Sequence, residues 1–220
     1  MSSSSEFITV LLADNRPLAR VGLRTLLENA PDIQIVGDSE NGEETKDLVA
    51  KLQPMVLILG LKMPETPPRQ LGKWMRENHP ETITLAVTAY DHDAYLFEMI
   101  NAGLSGVLSE TEPGENLIAA IRRAVRGENL LTPEQTQRAL NWNRDTGKKW
   151  ESLTKRERQT LALIEEGLGN NSISERLSVN LKTTEQYVSS ILKKLNVTSR
   201  YEAGLWFTKN MPKELRENPV

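Results

Sequence analysis

Short apolar runs alternate with amphipathic stretches along roughly the first 125 residues, and the two patterns have different periods. The apolar runs are Ile8 to Ala13, Ile33 to Val36, Met55 to Leu59, Ile83 to Val87 and the brief Val107-Leu108. Between them, Leu18, Val21, Leu26 and Leu27, then Leu48, Val49 and Leu52, and last Leu117, Ile118, Ile121 and Val125 recur at helical spacing. Unbroken apolar strands suit a parallel sheet covered on both faces. Five such β/α alternations predict a doubly wound α/β fold.

The pattern stops at Gly127-Glu-Asn129, and Thr132-Pro133-Glu134-Gln135 has the residues of a new helix start: a capping Thr, Pro at the first position and a Gln that closes a capping box. That helix is expected to run to about Trp142. The polar stretch Asn143 to Lys149 then reads as a tether. Four short helices follow. Thr154 with Glu157 caps the first, Asn171 opens the second, Asn180 caps Leu181 to Leu195, and Ser199 or Arg200 starts the last. A short helix, a tight turn and a longer helix are the arrangement of a helix-turn-helix.

Composition narrows the chemistry. Without a single Cys there is no disulfide, no thiolate nucleophile and no Cys-ligated metal. The two imidazoles, His79 and His92, have no partner at metal-ligand spacing and are expected at the surface. No apolar run approaches the roughly 20 residues needed to cross a bilayer, and the Ser-rich start lacks the basic flank and apolar core of a leader, so a cytoplasmic location is expected. The net charge of −3 conceals an asymmetry. Residues 1–128 carry 12 basic and 19 acidic side chains, residues 148–220 carry 13 and 9, and the segment between is balanced. The basic half suits a polyanion.

In the second half, Thr184, Val188, Ile191, Leu192 and Leu195 mark a buried helix face and leave Lys182, Glu185, Gln186, Ser189 and Lys193 on the other. Gln can bond adenine bidentately, Ser can contact base or phosphate, and Lys neutralises the backbone. The same face also suits a solvated helix in a small bundle. The segments Leu153-Thr-Lys-Arg-Glu-Arg158, Leu161 to Leu168, Ile173-Ser-Glu-Arg-Leu177, Lys182 to Ser189 and Ile191 to Arg200 resemble the LuxR-type DNA-binding domain over about 57 residues. The resemblance implies that Leu181 to Leu195 is the recognition helix and that the last helix supports dimerisation. It makes Arg158, Lys182, Lys193 and Lys194 phosphate contacts, with Thr183 and Ser190 completing the DNA-facing set. Departures from the family pattern are Asn171-Ser172 where Lys-Glu is common, Thr184 where Val is usual, and Tyr187 where His is frequent. Glu185 adds a negative charge that could accept from cytosine but would repel phosphate.

In the first half there is no glycine-rich nucleotide cradle. The segments Val10-Leu-Leu-Ala-Asp-Asn-Arg-Pro-Leu18, Gly22 to Leu27, Gly37-Asp38, Asn41-Gly42, Leu61-Lys-Met-Pro64, Val87-Thr-Ala-Tyr90 and Ala102-Gly103 resemble the receiver domain of response regulators. With the LuxR-type tail, nearly the whole chain resembles the NarL/FixJ class. Receivers take a phosphoryl group on an aspartate after the third strand, with Mg²⁺ held by an acidic pair after the first, a Thr or Ser after the fourth and a Lys after the fifth. Here the phosphoacceptor position is Gly60, the acidic pair is Asp14-Asn15, the hydroxyl is Thr88, and the Lys position is Glu110. The aromatic switch position is Val107. Only Asp14 and Thr88 remain, and covalent catalysis requires a nucleophile. The nearest ionisable neighbours of Gly60 in sequence, Lys62 and Glu65, are poor substitutes. Asp14 and Glu110 sum to −2, which suits either a residual cation site or two solvated loop carboxylates.

The expected organisation is a disordered N-terminus over 1–6, a five-stranded flavodoxin-like receiver over 7–127, a linker with a helix over 128–150, an all-α four-helix domain over 151–210 and a tail over 211–220. The expected function is a phosphorylation-independent transcription regulator, a homodimer on an inverted-repeat operator, with a possible protein partner at the receiver and neither cofactor, metal nor catalytic residue. Two rival readings stand beside it: a protein-interaction regulator with weak or no DNA binding, and a small-ligand sensor at the carboxyl ends of the strands near Asp14, Gly60 and Thr88.

Overall fold

The computed structural model describes residues 7–61, 63, 66, 68–89, 92–212 and 216. The disorder expected at 1–6, the neighbours Lys62 and Glu65, and most of the tail expected over 211–220 lie outside the described residues. The chain divides into two compact units, residues 1–138 and 139–220.

In the first unit, β1 (Ile8–Ala13), β2 (Ile33–Ser39), β3 (Val56–Gly60), β4 (Ile83–Thr88) and β5 (Gly106–Ser109) form a parallel sheet in the order β2-β1-β3-β4-β5. The helices are α1 (Pro17–Glu28), α2 (Gly42–Leu52), α3 (Pro68–Asn78), α4 (Asp93–Ala102) and α5 (Gly114–Val125). Strand order reverses at β1, from which the chain winds to β2 on one side and to β3 on the other. Such a reversal opens a crevice at the carboxyl ends of the strands. Alternate strand residues point to opposite faces. Val10, Leu12, Val56, Ile58, Leu85 and Val87 share a buried cluster with Leu27 of α1 and with Leu117, Ile121 and Ala124 of α5. The intervening Leu11, Leu57, Leu59 and Ala86 are equally buried, so the sheet is covered on both faces as its unbroken apolar runs require. At roughly 1.5–3 kcal/mol for each fully buried large side chain, this double burial is the main favourable contribution to the unit's stability.

One expectation changes here. The strand expected over Ile33 to Val36 continues to Ser39, because Gly37, Asp38 and Ser39 pair with Leu11, Leu12 and Ala13 past a bulge at Val10/Leu11. On α1, Leu18 and Val21 do not join the buried face. They are 87% and 61% exposed, and Leu23, Leu26 and Leu27 pack against the core instead.

The helix expected from Thr132 is α6 (Pro133–Trp142), and both bonds of its capping box form: Thr132 N–H donates to Gln135 Oε1 and Gln135 N–H to Thr132 Oγ1. Its first turns belong with the sheet, for Gln135 Nε2 donates to the Val107 carbonyl at 2.9 Å and Arg138 reaches Asp93 at 2.7 Å. Residues 128–138 therefore pack with the first unit, which extends past the limit expected at 127.

In the second unit, the expected tether is helical. A π-helical turn (Asn143–Gly147) leads into α7 (Lys148–Ser152), and Trp142 and Trp150 are buried at either end. The tryptophans anchor the segment, so its polar residues are the outer face of a helix rather than a free loop. Then come α8 (Lys155–Glu165), α9 (Asn170–Leu177), α10 (Leu181–Leu195) and α11 (Arg200–Asn210). Gly169 rather than Asn171 precedes α9, whereas Asn180 and Ser199 cap α10 and α11 as expected. The turn between α9 and α10 passes through Ser178 at φ 54°, a left-handed C-cap. Leu161, Ile173, Ile191, Leu195, Ala203 and Phe207 are fully buried, and the Trp150 ring stacks on Phe207 at 5.7 Å.

No helix among the described residues is long and apolar enough to cross a membrane.

Candidate functional site

At the carboxyl edge of the sheet, β1 ends before Asp14, β3 ends on Gly60, β4 ends on Thr88 and β5 is followed by Glu110. The ladder aligns them, with Gly60 opposite Val87 and Thr88 opposite Ser109. Glu110 N–H donates to the Thr88 carbonyl at 2.9 Å. Asp14 is 3% exposed and Thr88 is buried.

Arg16, which the sequence reading did not single out, organises this edge. Its backbone N–H and Nε donate to Asp14 Oδ1 at 2.8 and 3.0 Å, and its Nη2 donates to Oδ2 at 2.7 Å. The same guanidinium reaches Glu110, through Nη1 to Oε2 at 3.2 Å and Nη2 to Oε1 at 2.5 Å. Planar, five-donor geometry lets one Arg serve two carboxylates at once. The hydrogen bonds of Asp14 first, and then of Glu110, raise the Arg16 pKa above the ordinary arginine value. Asp14 is therefore not a solvated loop carboxylate, and both it and Glu110 have a counter-charge within the chain.

Gly60 completes the closure. A Cβ at that position would stand 2.2 Å from Asp14 Oδ2 and 2.6 Å from Asp14 Cγ. A side chain at position 60 would therefore require the Asp14 carboxylate to move from where it meets Arg16. Beside it, Asn15 Oδ1 is buried with no hydrogen-bond partner. Among the described residues no group of three or more His, Cys, Asp or Glu is arranged to hold a metal ion. The signal for Arg16 was present as a basic residue two positions after Asp14, but only the fold shows that Glu110, 94 residues away, meets the same guanidinium.

On the second unit, α10 divides as its periodicity predicts. Thr184, Ile191 and Leu195 are buried, Val188 and Leu192 are half-buried, and Lys182, Glu185, Gln186, Ser189 and Lys193 are exposed on the other face. The other four residues of the expected DNA-facing set have partners inside the domain. Thr183 is held by the cap of the helix, its N–H and Oγ1 both donating to Asn180 Oδ1. Arg158 lies 4.5 Å from the Trp150 ring centroid and donates to the Trp150 carbonyl. Ser190 Oγ and Lys194 Nζ both donate to Glu157, at 2.5 and 2.7 Å.

Glu157, also unremarked beyond its capping role, is thus a hub. It is 4% exposed, accepts from Thr154 N–H to close the capping box of α8, and binds α10 through Ser190 and Lys194. Burial is the largest single influence on its carboxyl and opposes ionisation. The bonds from Lys194, Ser190 and Thr154 together outweigh it and hold the pKa at about 2. Thr184 is the opposite case: it is fully buried and its Oγ1 has no hydrogen-bond partner among the described residues.

Comparison with known proteins agrees with both units. Residues 10–122 match the response regulator receiver domain, and residues 151–207 match the luxR family of bacterial regulatory proteins. The chain is 34% identical over 205 residues to the oxygen regulatory protein NreC of Staphylococcus carnosus, across 88% of this chain and 93% of that one. It is 33% identical over 208 residues to the nitrate/nitrite response regulator NarL of Escherichia coli K12, across 93% and 96%. Among solved structures, the response regulator ChrA of a heme-sensing two-component system is similar at a TM-score of 0.55 and 27% identity, over 93% of this chain and 98% of that one. RcsB of Salmonella enterica serovar Typhimurium, solved bound to a promoter, shares the fold at a TM-score of 0.56 and 23% identity, over 92% and 98%. With a receiver unit and a LuxR-type unit in this order, and full-length relatives of the same build, the chain belongs to the NarL/FixJ-type response regulators, which are DNA-binding transcription regulators and not enzymes.

Proposed function

We propose that this regulator works without aspartyl phosphorylation, its receiver serving as a dimer or partner surface while α10 reads DNA in the cytoplasm. The observation that carries this reading is Arg16 between Asp14 and Glu110, beside a glycine where receivers carry the acceptor. The acceptor is missing, and the metal is refused as well. Mg²⁺ needs convergent oxygens in near-octahedral geometry, and both Asp14 oxygens already accept from Arg16. Where receivers place a Lys to balance the phosphoryl charge, Glu110 would repel it. The sign of the pocket has been exchanged: a cation on the first-strand loop and an anion after the fifth strand tie together the two segments that phosphoryl, metal and Lys tie together in the family.

The exposed face of α10 supports DNA reading, with Gln186 and Ser189 for base edges and Lys182 and Lys193 for phosphates. Two copies related by a two-fold axis would set their recognition helices on inverted half-sites. Exposed apolar residues on α1, Leu18 and Val21, and on α11, Tyr201 and Leu205, support pairing of copies.

The test is treatment with acetyl phosphate and Mg²⁺, followed by intact mass and by binding to duplexes selected from a randomised pool. No mass gain and no change in affinity are expected, for the natural chain and for Gly60→Asp alike. A phosphate-dependent gain in the natural chain would overturn the proposal. A second reading, regulation through a protein partner with weak DNA binding, is favoured by Glu185 on the reading face and by the engagement of Lys194 and Ser190 with Glu157. Salt titration separates the two. Affinity of a phosphate-contacting helix falls steeply as salt rises, whereas absence of binding at low salt favours the protein partner.

A further inference from the structure

Five polar side chains stand on the exposed face of α10, Lys182, Glu185, Gln186, Ser189 and Lys193, and none has a hydrogen bond or ion pair with another described residue. Glu185 is the one carboxylate among them. Lys182 lies three residues before it, a spacing that permits an ion pair on a helix, yet the two are not joined. Ser190 and Lys194 are held by Glu157, and Thr183 by Asn180, so these five are the polar groups that α10 turns outward.

Their order along the helix separates ends from middle. At about 1.5 Å of rise and 100° of rotation per residue, Lys182 and Lys193 lie about 16 Å apart on nearly one line, with Glu185, Gln186 and Ser189 between them. The major groove is about 12 Å wide. With the two ammonium groups at phosphates on its walls, the residues between them face base edges. A carboxylate only accepts hydrogen bonds, so Glu185 has nothing to offer a phosphate and contributes there only by accepting from a base.

The bases differ sharply as donors to it. In the major groove the donors are cytosine N4–H₂ and adenine N6–H₂, whereas guanine presents N7 and O6 and thymine O4, which are acceptors that repel a carboxylate. Adenine also carries the acceptor N7 beside its amino group, a pair that suits an amide such as Gln186. Cytosine presents a donor with no acceptor beside it on the same base. The order for a carboxylate is therefore cytosine, then adenine, with guanine and thymine last.

We infer that Glu185 is a specificity-determining residue, which selects a cytosine in each operator half-site by accepting from its N4 amino group. The inference rests on the reading of DNA by α10 proposed above. The charge that lowers attraction to DNA at large then sharpens the choice among sequences, because each wrong base at that position adds a repulsion that nothing offsets.

The test is selection of duplexes from a randomised pool at low salt, with the full-length natural chain and with Glu185→Gln and Glu185→Ala, both changes at an exposed position. The natural chain is expected to enrich cytosine at one position of each half-site and to bind the guanine-substituted duplex about tenfold more weakly. Glu185→Gln should move that position toward adenine, and Glu185→Ala should abolish its preference while the other positions keep theirs. A charge that merely repels DNA predicts instead that both variants bind every duplex more tightly by one common factor. Binding with the base preferences unchanged in both variants overturns this inference alone; absence of binding to any duplex overturns the reading of DNA by α10 with it.

Discussion

Both units bury a carboxylate in a network that links distant segments, yet the two networks do opposite things. In the receiver unit, Arg16 closes Asp14 and Glu110 on one another at the edge where the fold ordinarily leaves chemistry open. In the LuxR-type unit, Glu157 draws in Ser190 and Lys194 from the inner side of α10 and leaves Gln186, Ser189 and Lys193 turned outward. The same kind of interaction fills the carboxyl edge of the sheet in one place and braces the inner side of a helix in the other. Buried ion pairs of this kind are costly to break from one side, because the remaining charge is left desolvated.

That contrast is most sharply broken at Glu157. Glu157→Ala leaves Lys194 and Ser190 without their acceptor and removes the capping box, and it is expected to cost about 3 kcal/mol, read from the shift of the denaturant midpoint of the second unit. Acid produces the same loss reversibly. The Glu157 pKa is about 2 in the folded chain against an ordinary 4.5, so its contribution is complete above about pH 5 and is lost as pH falls through 4.5 toward 2. The second unit of Glu157→Ala should therefore show a flatter stability profile across that interval; an unchanged profile would remove Glu157 from the account.

Arg16→Ala exposes the other network. With the guanidinium 37% exposed, the loss is smaller, about 2 kcal/mol, and the thermal midpoint of the first unit reports it. Adding Asp14→Ala should recover part of the loss, because the double variant no longer buries an unpaired charge. Additive losses would mean that the two residues act separately. Thr184→Val runs the other way. It keeps the shape and removes a buried hydroxyl without a partner, so a gain of about 1 kcal/mol is expected in the same unfolding experiment. Smallest in free energy is Lys193→Ala, which should leave stability within about 0.5 kcal/mol and lower the salt-dependence slope of DNA binding by about 1.

Much of this was legible along the chain. The strands and the capping boxes at Thr132 and Thr154 were readable because local periodicity and cap chemistry agree with tertiary packing there. The outer face of α10 was readable for the same reason. The exposure of Leu18 and Val21 was not legible, because helical spacing shows that a face is apolar and says nothing of which neighbour covers it. The Asn143–Lys149 segment was misread as a tether because its composition is polar, while what makes it helical is the pair of buried tryptophans at its ends. The resemblance set Lys194 and Ser190 among the DNA contacts, and it carries no information on which neighbour inside the domain they meet. The Glu157 carboxylate turns them inward.

The sequence by itself determined the two-unit class, the absence of thiol chemistry, and the presence of glycine rather than a carboxylate at position 60, since each depends only on which side chains are present. Tertiary structure decided what surrounds that position. The Arg16–Glu110 pair joins residues 94 positions apart, and their distance is set by how five strands align their carboxyl ends, a relation that no local pattern encodes.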